Sequence, residues 1–499
     1  MKLHVLLALL NLLLYTQCTT TADDKNVTSE IPNVLFIAVD DLRPELGCYG
    51  HSQIISPNID RLAQEGTLFQ NAYCQQAVCA PSRNSLMTGL RPDAIGIYDL
   101  YTNFRTKVPN VVTLPQHFKQ NGYQAETVGK IYHTGHGNYD DTLSWTVPKW
   151  SGAAIDYMNS GDTVRANGSY PTIDDQKIPW LASDAPDSNF IDTRTTNRAI
   201  ERLGILKDQP FFLAVGYVKP HLPFVAPKKY WDIYDPEDIE IPDLAEPEGM
   251  PEVALHQFGE LRKYYGIPVE GALSEDQARN MIHGYYACVS HIDAEIGRLL
   301  TELDNLGLSD YTLVILWGDH GWKLGEYGSW CKHTNFELDT RVPLIVKSPS
   351  FSKAGGRSEA LVEFVDIYPS LCELADLPPP VHLQGDSFVP QMEDPDQKGK
   401  IAALSQYPRG KDLGYDRKKE IMGYSIRTQE VRYTRWQHYE NPDSVVAIEL
   451  YDHTSSPVAK SNLAENPAYQ DKINELDKLL TDVLVLEDQQ LRKGARASR

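Results

Sequence analysis

A chain of 499 residues, 41% hydrophobic and 23% charged with 27 tyrosines, is too long for one small core and too mixed for a fibrous or disordered protein. Its formal net charge of −21 speaks against nonspecific nucleic-acid binding, which needs basic surface to displace counterions. An anionic ligand is not excluded, because a local cation cluster or a bound metal can dominate a pocket.

At the start, Lys2 precedes the apolar run VLLALLNLLL and the small, polar TQCTTTAD, which predicts an export signal over residues 1–22. Cys18 offers lipid anchoring as the alternative, but Tyr-Thr-Gln before it fits that pattern poorly. The expected location is periplasmic or extracellular, or lysosomal in a eukaryotic host. No run reaches the roughly 18 apolar residues of a transmembrane segment.

Four short hydrophobic runs then each end in a polar cluster. NVLFIAVDDLRP supplies Asp40 and Asp41, YQAETVGKIYH supplies Lys130 and His133, PFFLAVGYVKPH supplies His221, and YTLVILWGDHG supplies Asp319 and His320. Runs of this length without alternation suit strands buried on both faces. Helical patterns lie between and after them. SPNIDRLAQEG places Ser56 as N-cap and Pro57 at the first helical position. Residues 281–306 set Tyr285, Cys288, Ile292, Ile296, Leu299 and Leu303 at helical spacing, and EFVDIYPSLCELADL reads the same way. Alternating strands and helices predict an α/β fold with a mixed, mostly parallel sheet sandwiched by helices. Ligands collect beyond the carboxyl ends of such strands, where all four clusters fall.

Residues 138–188, with Trp145, Trp150 and Trp180, form a long irregular stretch that reads as a binding wall. Beyond about residue 395, IAALSQYP, IMGYSIRTQEVRYTRW and AIELYDH read as successive antiparallel strands. A helix follows with Ile473, Leu476, Leu479, Leu480, Val483 and Leu484 on one face, then a basic tail, RKGARASR, expected to be disordered. The expected organisation is a catalytic domain over residues 31–395 and a smaller C-terminal α+β subdomain, with an antiparallel sheet, over 396–490. Cys48, Cys74, Cys288, Cys331 and Cys372 read as small buried residues, and His51, His283 and His291 as structural or surface histidines.

Cys79 is different. Pro81 in Cys79-Ala80-Pro81-Ser82-Arg83 fits the first turn of a helix, placing Cys79 at a helix N-terminus beside Arg83. A thiolate nucleophile is the first expectation there. A thiol protease, however, has no need of Asp40-Asp41 and Asp319-His320.

This pentapeptide, with Leu86-Met87-Thr88-Gly89 after it, resembles the signature of type I sulfatases. The stretches VDDLRPELGCYG, QQAVCAPSR, GLRPD, VGKIYH, GYVKPHLPF, DHGW-LGE, SQYPR and IMGYSIRT resemble the iduronate-2-sulfatase branch of that family, over about residues 31–455. The resemblance implies an alkaline-phosphatase-like fold and conversion of Cys79 to formylglycine by a formylglycine-generating or equivalent maturation enzyme. It implies a metal site of Asp40, Asp41, Asp319, His320 and the modified Cys79. The carboxylates suit Ca²⁺, with Mg²⁺ as the alternative. Arg83, Lys130 and Lys332 are expected to neutralise sulfate and position the formylglycine hydroxyls. His221 or Lys332 is expected to protonate the departing sugar oxygen, and His133 to serve as base. Two positions depart from the pattern: Leu90, beside Arg91, where many sulfatases carry a basic residue, and His333, where the lysosomal enzyme has an aromatic one. The implied activity is hydrolysis of O-sulfate esters on a sulfated saccharide, foremost a 2-O-sulfate on a uronic acid. The alternatives are a phosphodiester or phosphonate monoester hydrolase of the same superfamily, or a non-catalytic glycan-binding homologue.

Overall fold

Seven strands form the central sheet: β1 (Asn33–Val39), β2 (Thr67–Tyr73), β3 (Gln124–Gly129), β4 (Phe211–Tyr217), β5 (Thr312–Gly318), β6 (Arg341–Lys347) and β7 (Gly356–Glu363). Their spatial order is β7-β2-β6-β5-β1-β4-β3. The four apolar runs that end in polar clusters are β5, β1, β4 and β3, side by side and parallel. β6 runs antiparallel to both β2 and β5, which makes the sheet mixed as expected. The computed structural model describes residues 31–150, 172–256, 259–351, 355–410 and 420–497. The expected export signal and Cys18 lie outside the described residues, and no helix within them is long and apolar enough to cross a membrane.

Alternation along β1 shows how the sheet is covered. Leu35, Ile37 and Val39 join one core with residues of α1 (Pro57–Glu65), while Val34, Phe36 and Ala38 join another with Leu86 and Met87 of α2 (Cys79–Thr88). Period two sends successive side chains to opposite faces, so a strand apolar at every position needs helices on both sides. α3 (Ile191–Leu206) and α4 (Glu275–Asn305) complete the first layer, and α5 (Ile367–Leu374) lies in the second. The residues expected at helical spacing in α4, from Tyr285 to Leu303, are all buried. Ser274 and Gln277 form a capping box at its start.

α1 is capped differently from the sequence expectation. Ser56 holds the N-cap position, but its hydroxyl donates to Asp60 at 3.1 Å instead of accepting from the first turn. The free N–H groups of Asn58 and Ile59 donate to Asp293 Oδ1 of α4, at 3.0 and 2.8 Å. A tertiary carboxylate thus takes the place of the local cap.

Strands β8 (Ala403–Arg409), β9 (Ile421–Arg427), β10 (Val431–His438) and β11 (Val445–Asp452) form an antiparallel sheet, followed by α6 (Gln470–Ala497). Ile473, Leu476 and Leu480 of α6 share a core with Met422, Ile426 and Tyr433. The helix runs on to Ala497, into the tail expected to be disordered. β8 lies against the segment leading to Cys79: Gln406 N donates to Gln75 O at 2.8 Å, and Ser405 Oγ to Cys74 O at 2.7 Å. Arg91 is committed nearby in a bidentate pair with Glu363, at 2.6 and 2.8 Å. All six cysteines among the described residues are free and buried.

Asp293→Ala is expected to lower unfolding free energy by about 1–2 kcal/mol, the usual effect of a lost helix cap. Urea unfolding followed by circular dichroism checks this, and an unchanged midpoint contradicts the assignment.

Candidate active site

Tight turns at the strand ends bring distant residues together. Gly129 and Gly216 let the ends of β3 and β4 close up, because a Cβ on Gly216 would lie 2.0 Å from the Lys130 carbonyl oxygen and one on Gly129 2.1 Å from that of Gly216. Lys130 N donates to Gly216 O at 2.8 Å and the chain turns toward β1. After β1, Asp41 takes a left-handed backbone conformation at φ 59°. Two contacts hold it there: Asp41 N donates to Asp319 Oδ1 and Tyr285 Oη donates to Asp41 O, both at 2.9 Å.

α2 enters from the other side. Cys79 is its first residue, and Pro81 lies in the first turn, where a missing N–H costs no helical hydrogen bond. All ten residues of α2 are buried. Burial pushes the Cys79 thiol well up; the nearby Lys130 pulls it down only in part, and Asp40 and Asp319 add to the rise. The pocket therefore does not favour a bare thiolate. Its Sγ lies 3.4 Å from His320 Nε2 and 3.9 Å from Lys130 Nζ, polar surroundings that fit an oxygen-bearing group derived from the cysteine.

Arg83, one turn further along, is fully buried between two fully buried carboxylates. Nε donates to Asp319 Oδ2 at 2.8 Å and Nη2 to Asp40 Oδ1 at 2.9 Å. Nη1 donates to the carbonyls of Lys130 and Ile131 at 2.6 and 2.9 Å. These contacts tie the ends of β1, β3 and β5 to α2 and use most of the guanidinium's five N–H donors.

Asp40, Asp41, Asp319 and His320 converge beside Cys79. Ligating atoms of Asp41, Cys79 and His320 lie within 4.8 Å of one another, as do those of Asp40, Cys79 and Asp319. His320 Nδ1 lies 3.0 Å from the Gly321 carbonyl oxygen, and its Nε2 lies 3.3 Å from Asp41 Oδ1 and 3.7 Å from Asp319 Oδ1. Three buried carboxylates and an imidazole nitrogen gathered this closely fit a divalent metal ion. Burial would raise the Asp40 carboxyl, but Lys130 and Arg83 outweigh it and hold it well below the usual range. At Asp41 burial wins over Lys332, and its carboxyl is raised.

The remaining expected residues ring this cluster. Lys130 Nζ pairs with Asp40. Lys332 Nζ lies 3.0 Å from both Asp41 oxygens and 4.7 Å from the centre of the Trp322 ring. It is presented between Cys331 and His333, both left-handed at φ 67° and 87°. His133 is buried, and desolvation with Lys130 nearby lowers it well below the ordinary histidine value, so the ring is neutral. Its Nδ1 has no hydrogen-bond partner among the described residues. His221 places Nδ1 2.7 Å from the Leu222 carbonyl and Nε2 3.1 Å from Glu260 Oε1. His333 packs against His256 with ring centres 4.9 Å apart, and burial and His256 keep it neutral. Arg91, beside Leu90, is paired with Glu363. His283 and His291 are structural, bonded to the Trp231 carbonyl and to Thr193.

Glu260 was not foreseen. It contacts both His221 and Lys332, and nothing in the surrounding FGELRK distinguishes it as a sequence.

A mostly parallel sheet whose strand ends gather three carboxylates and an imidazole around a helix-borne cysteine defines a metal-dependent ester hydrolase of alkaline-phosphatase-like architecture. The sulfatase family model matches residues 32–377, and the C-terminal model of N-sulphoglucosamine sulphohydrolase matches residues 325–485. Iduronate 2-sulfatase of Homo sapiens is 37% identical, the match covering 91% of this chain and 95% of the relative. A solved structure in complex with its substrate D-glucosamine-2-N,6-O-disulfate superposes with a TM-score of 0.73 at 23% identity, covering 93% of this chain and 99% of the other. The phosphonate monoester hydrolase of Agrobacterium radiobacter gives 0.72 at 22%, covering 91% and 96%. The chain belongs to the sulfatase family, near its iduronate-2-sulfatase branch, and is a sulfuric ester hydrolase. Membership implies a formylglycine and a divalent metal ion.

Arg83→Lys keeps the charge but cannot span two carboxylates and two carbonyls. It is expected to cost roughly 3 kcal/mol of stability, as breaking a buried ion pair does, and to lower sulfate release at least about a hundredfold by misplacing the ligands. Urea unfolding and a sulfate-release assay on the same preparation check both.

Proposed function

We propose that the protein is an exported sulfatase that removes the 2-O-sulfate of a uronic acid in a sulfated saccharide, after a maturation enzyme converts Cys79 to formylglycine. The observation that carries this reading is the 37% identity to iduronate 2-sulfatase over 91% of the chain, with Lys130, His133, His221 and Lys332 around Cys79. Export rests on residues 1–22, with a periplasmic, extracellular or lysosomal destination according to host. The reading keeps residues 31–395 as the catalytic domain and 396–490 as a supporting subdomain.

Asp40, Asp41, Asp319 and His320, with position 79, are the residues to hold the metal, and their oxygen-rich set favours Ca²⁺ over Mg²⁺. An ion held there would supply Lewis-acid polarisation of a sulfate oxygen. Formylglycine at position 79 supplies, as a hydrated aldehyde, the nucleophile toward sulfur. Lys130 and Lys332 offset the charge of the sulfate oxygens through charge-assisted hydrogen bonds. Arg83 mainly holds the carboxylates and the β3 turn, with little donor capacity left over for the hydrated aldehyde. His221 Nε2 or Lys332 Nζ delivers a proton to the departing sugar oxygen. His133, neutral and with Nδ1 unpartnered, takes up the proton that must be removed to expel sulfate.

The second reading, a phosphodiester or phosphonate monoester hydrolase, is favoured by the fold likeness to the Agrobacterium enzyme, a likeness of fold alone. A panel of defined sulfated oligosaccharides is expected to yield free sulfate, with 2-O-sulfated uronic acid ends fastest and aryl sulfate preferred over aryl phosphate diester. A large preference for the diester supports the second reading. Binding without any sulfate release supports the non-catalytic glycan-binding homologue. Cys79→Ala is expected to reduce turnover at least roughly a thousandfold with little change in thermal unfolding. Chelation is expected to abolish sulfate release and added Ca²⁺ to restore it. A full rate in metal-free protein contradicts the ligand set.

A further inference from the structure

Glu260 stands between the two groups to which the proposed mechanism assigns the departing oxygen. Its Oε1 lies 3.1 Å from His221 Nε2 and 3.4 Å from Lys332 Nζ, while its Oε2 lies 3.0 Å from Lys332 Nζ. Two nitrogens from distant parts of the chain, His221 Nε2 and Lys332 Nζ, thus converge on one carboxylate oxygen, and the His221 contact is a hydrogen bond in the imidazolium, the form able to deliver a proton.

Each donor is otherwise held from behind. The His221 ring is fixed through Nδ1 to the Leu222 carbonyl at 2.7 Å. Lys219 Nζ gathers the carbonyls of His221 and Pro223 at 2.8 and 2.6 Å, which sets the path of that loop. Lys332 rests on Trp322 and reaches two carboxylates, Asp41 and Glu260. Asp41 belongs to the metal set. Glu260 has no ligand role in it, so it is the carboxylate that remains to steer Lys332 once Asp41 is engaged. Its side chain is 22% exposed, against 0% for Asp41, so it borders the opening of the site rather than its floor. Burial would raise its carboxyl, but Lys332 and His221 outweigh that and keep it ionised.

An alkoxide leaving a sulfur atom needs hydrogen-bond donors aimed at the point where its charge develops. Two donors already converging on one oxyanion present that arrangement before substrate arrives. We propose that Glu260 is a positioning residue, which fixes the spacing and direction of His221 Nε2 and Lys332 Nζ so that both address the leaving-group oxygen. The proposal rests on the sulfatase reading above.

The test is Glu260→Gln, which keeps size and shape but removes the charge and turns an amide N–H₂ toward Lys332 or His221. On a sulfated saccharide, kcat is expected to fall about ten- to a hundredfold, the effect of misaligned acid groups, while KM stays within about threefold. On a nitrophenyl sulfate, whose phenolate departs unprotonated, the fall in kcat is expected to be at least about fivefold smaller than on the saccharide, what is left reflecting Lys332's contact with the sulfate oxygens. Glu260→Asp, which restores charge at shorter reach, is expected to recover part of the saccharide rate. Equal losses on both esters, a shift in KM alone, or an unchanged saccharide kcat overturns the assignment. A wild-type enzyme that frees no sulfate from any ester overturns the underlying reading, and Glu260's role with it. Thermal unfolding measured alongside separates either result from misfolding.

Discussion

The site depends on one buried guanidinium. Arg83 joins Asp40 after β1, Asp319 after β5 and two carbonyls after β3 to the first turns of α2. Like-charged carboxylates buried side by side repel one another, and taking each out of water is costly. A planar cation with a fixed fork of donors offsets both effects at once, which a lysine cannot do. Fixing three strand ends to α2 also fixes Cys79, since the cysteine opens the helix whose next turn carries Arg83.

Around this bridge the remaining parts are held by tertiary contacts rather than local preference. Asp41, Cys331 and His333 all adopt left-handed backbone conformations that non-glycine residues rarely adopt unaided. Asp319 and Tyr285 hold the first. The other two flank Lys332 and aim its ammonium across the pocket. The C-terminal sheet contributes from a distance: β8 pairs its backbone with Gln75, and Glu337 binds Arg432 of β10 at 2.8 Å and Tyr73 of β2 at 2.8 Å. The segment entering Cys79 is therefore clamped from both sides. The C-terminal elements thus contact the backbone that leads into α2.

The electrostatics also explain how a chain of net charge −21 can receive an anion. Lys130 and Lys332 face the pocket, but both are engaged with aspartates in the structure described. A divalent ion held by those aspartates would leave the ammonium groups to an anionic ligand. The overall charge sets solubility, and the local balance at the strand ends sets what binds.

Much of this was legible in the chain itself. Near-continuous apolar runs identified β1, β4 and β5, because a strand covered on both faces has few polar positions, whereas the edge strand β3 carries Gln124, Glu126 and Thr127. Asp40, Asp41, Asp319 and His320 could be named because parallel strands deliver their carboxyl ends to one edge. Cys79 stood out because its pentapeptide carries a helix start and a family signature together. The antiparallel insertion of β6, the capping of α1 by Asp293 instead of Ser56, the engagement of Arg91 with Glu363, and the place of Glu260 were decided only by tertiary structure. Each depends on contacts between residues tens to hundreds of positions apart or on competition between partners, and periodicity and local spacing report only what a residue's near neighbours impose.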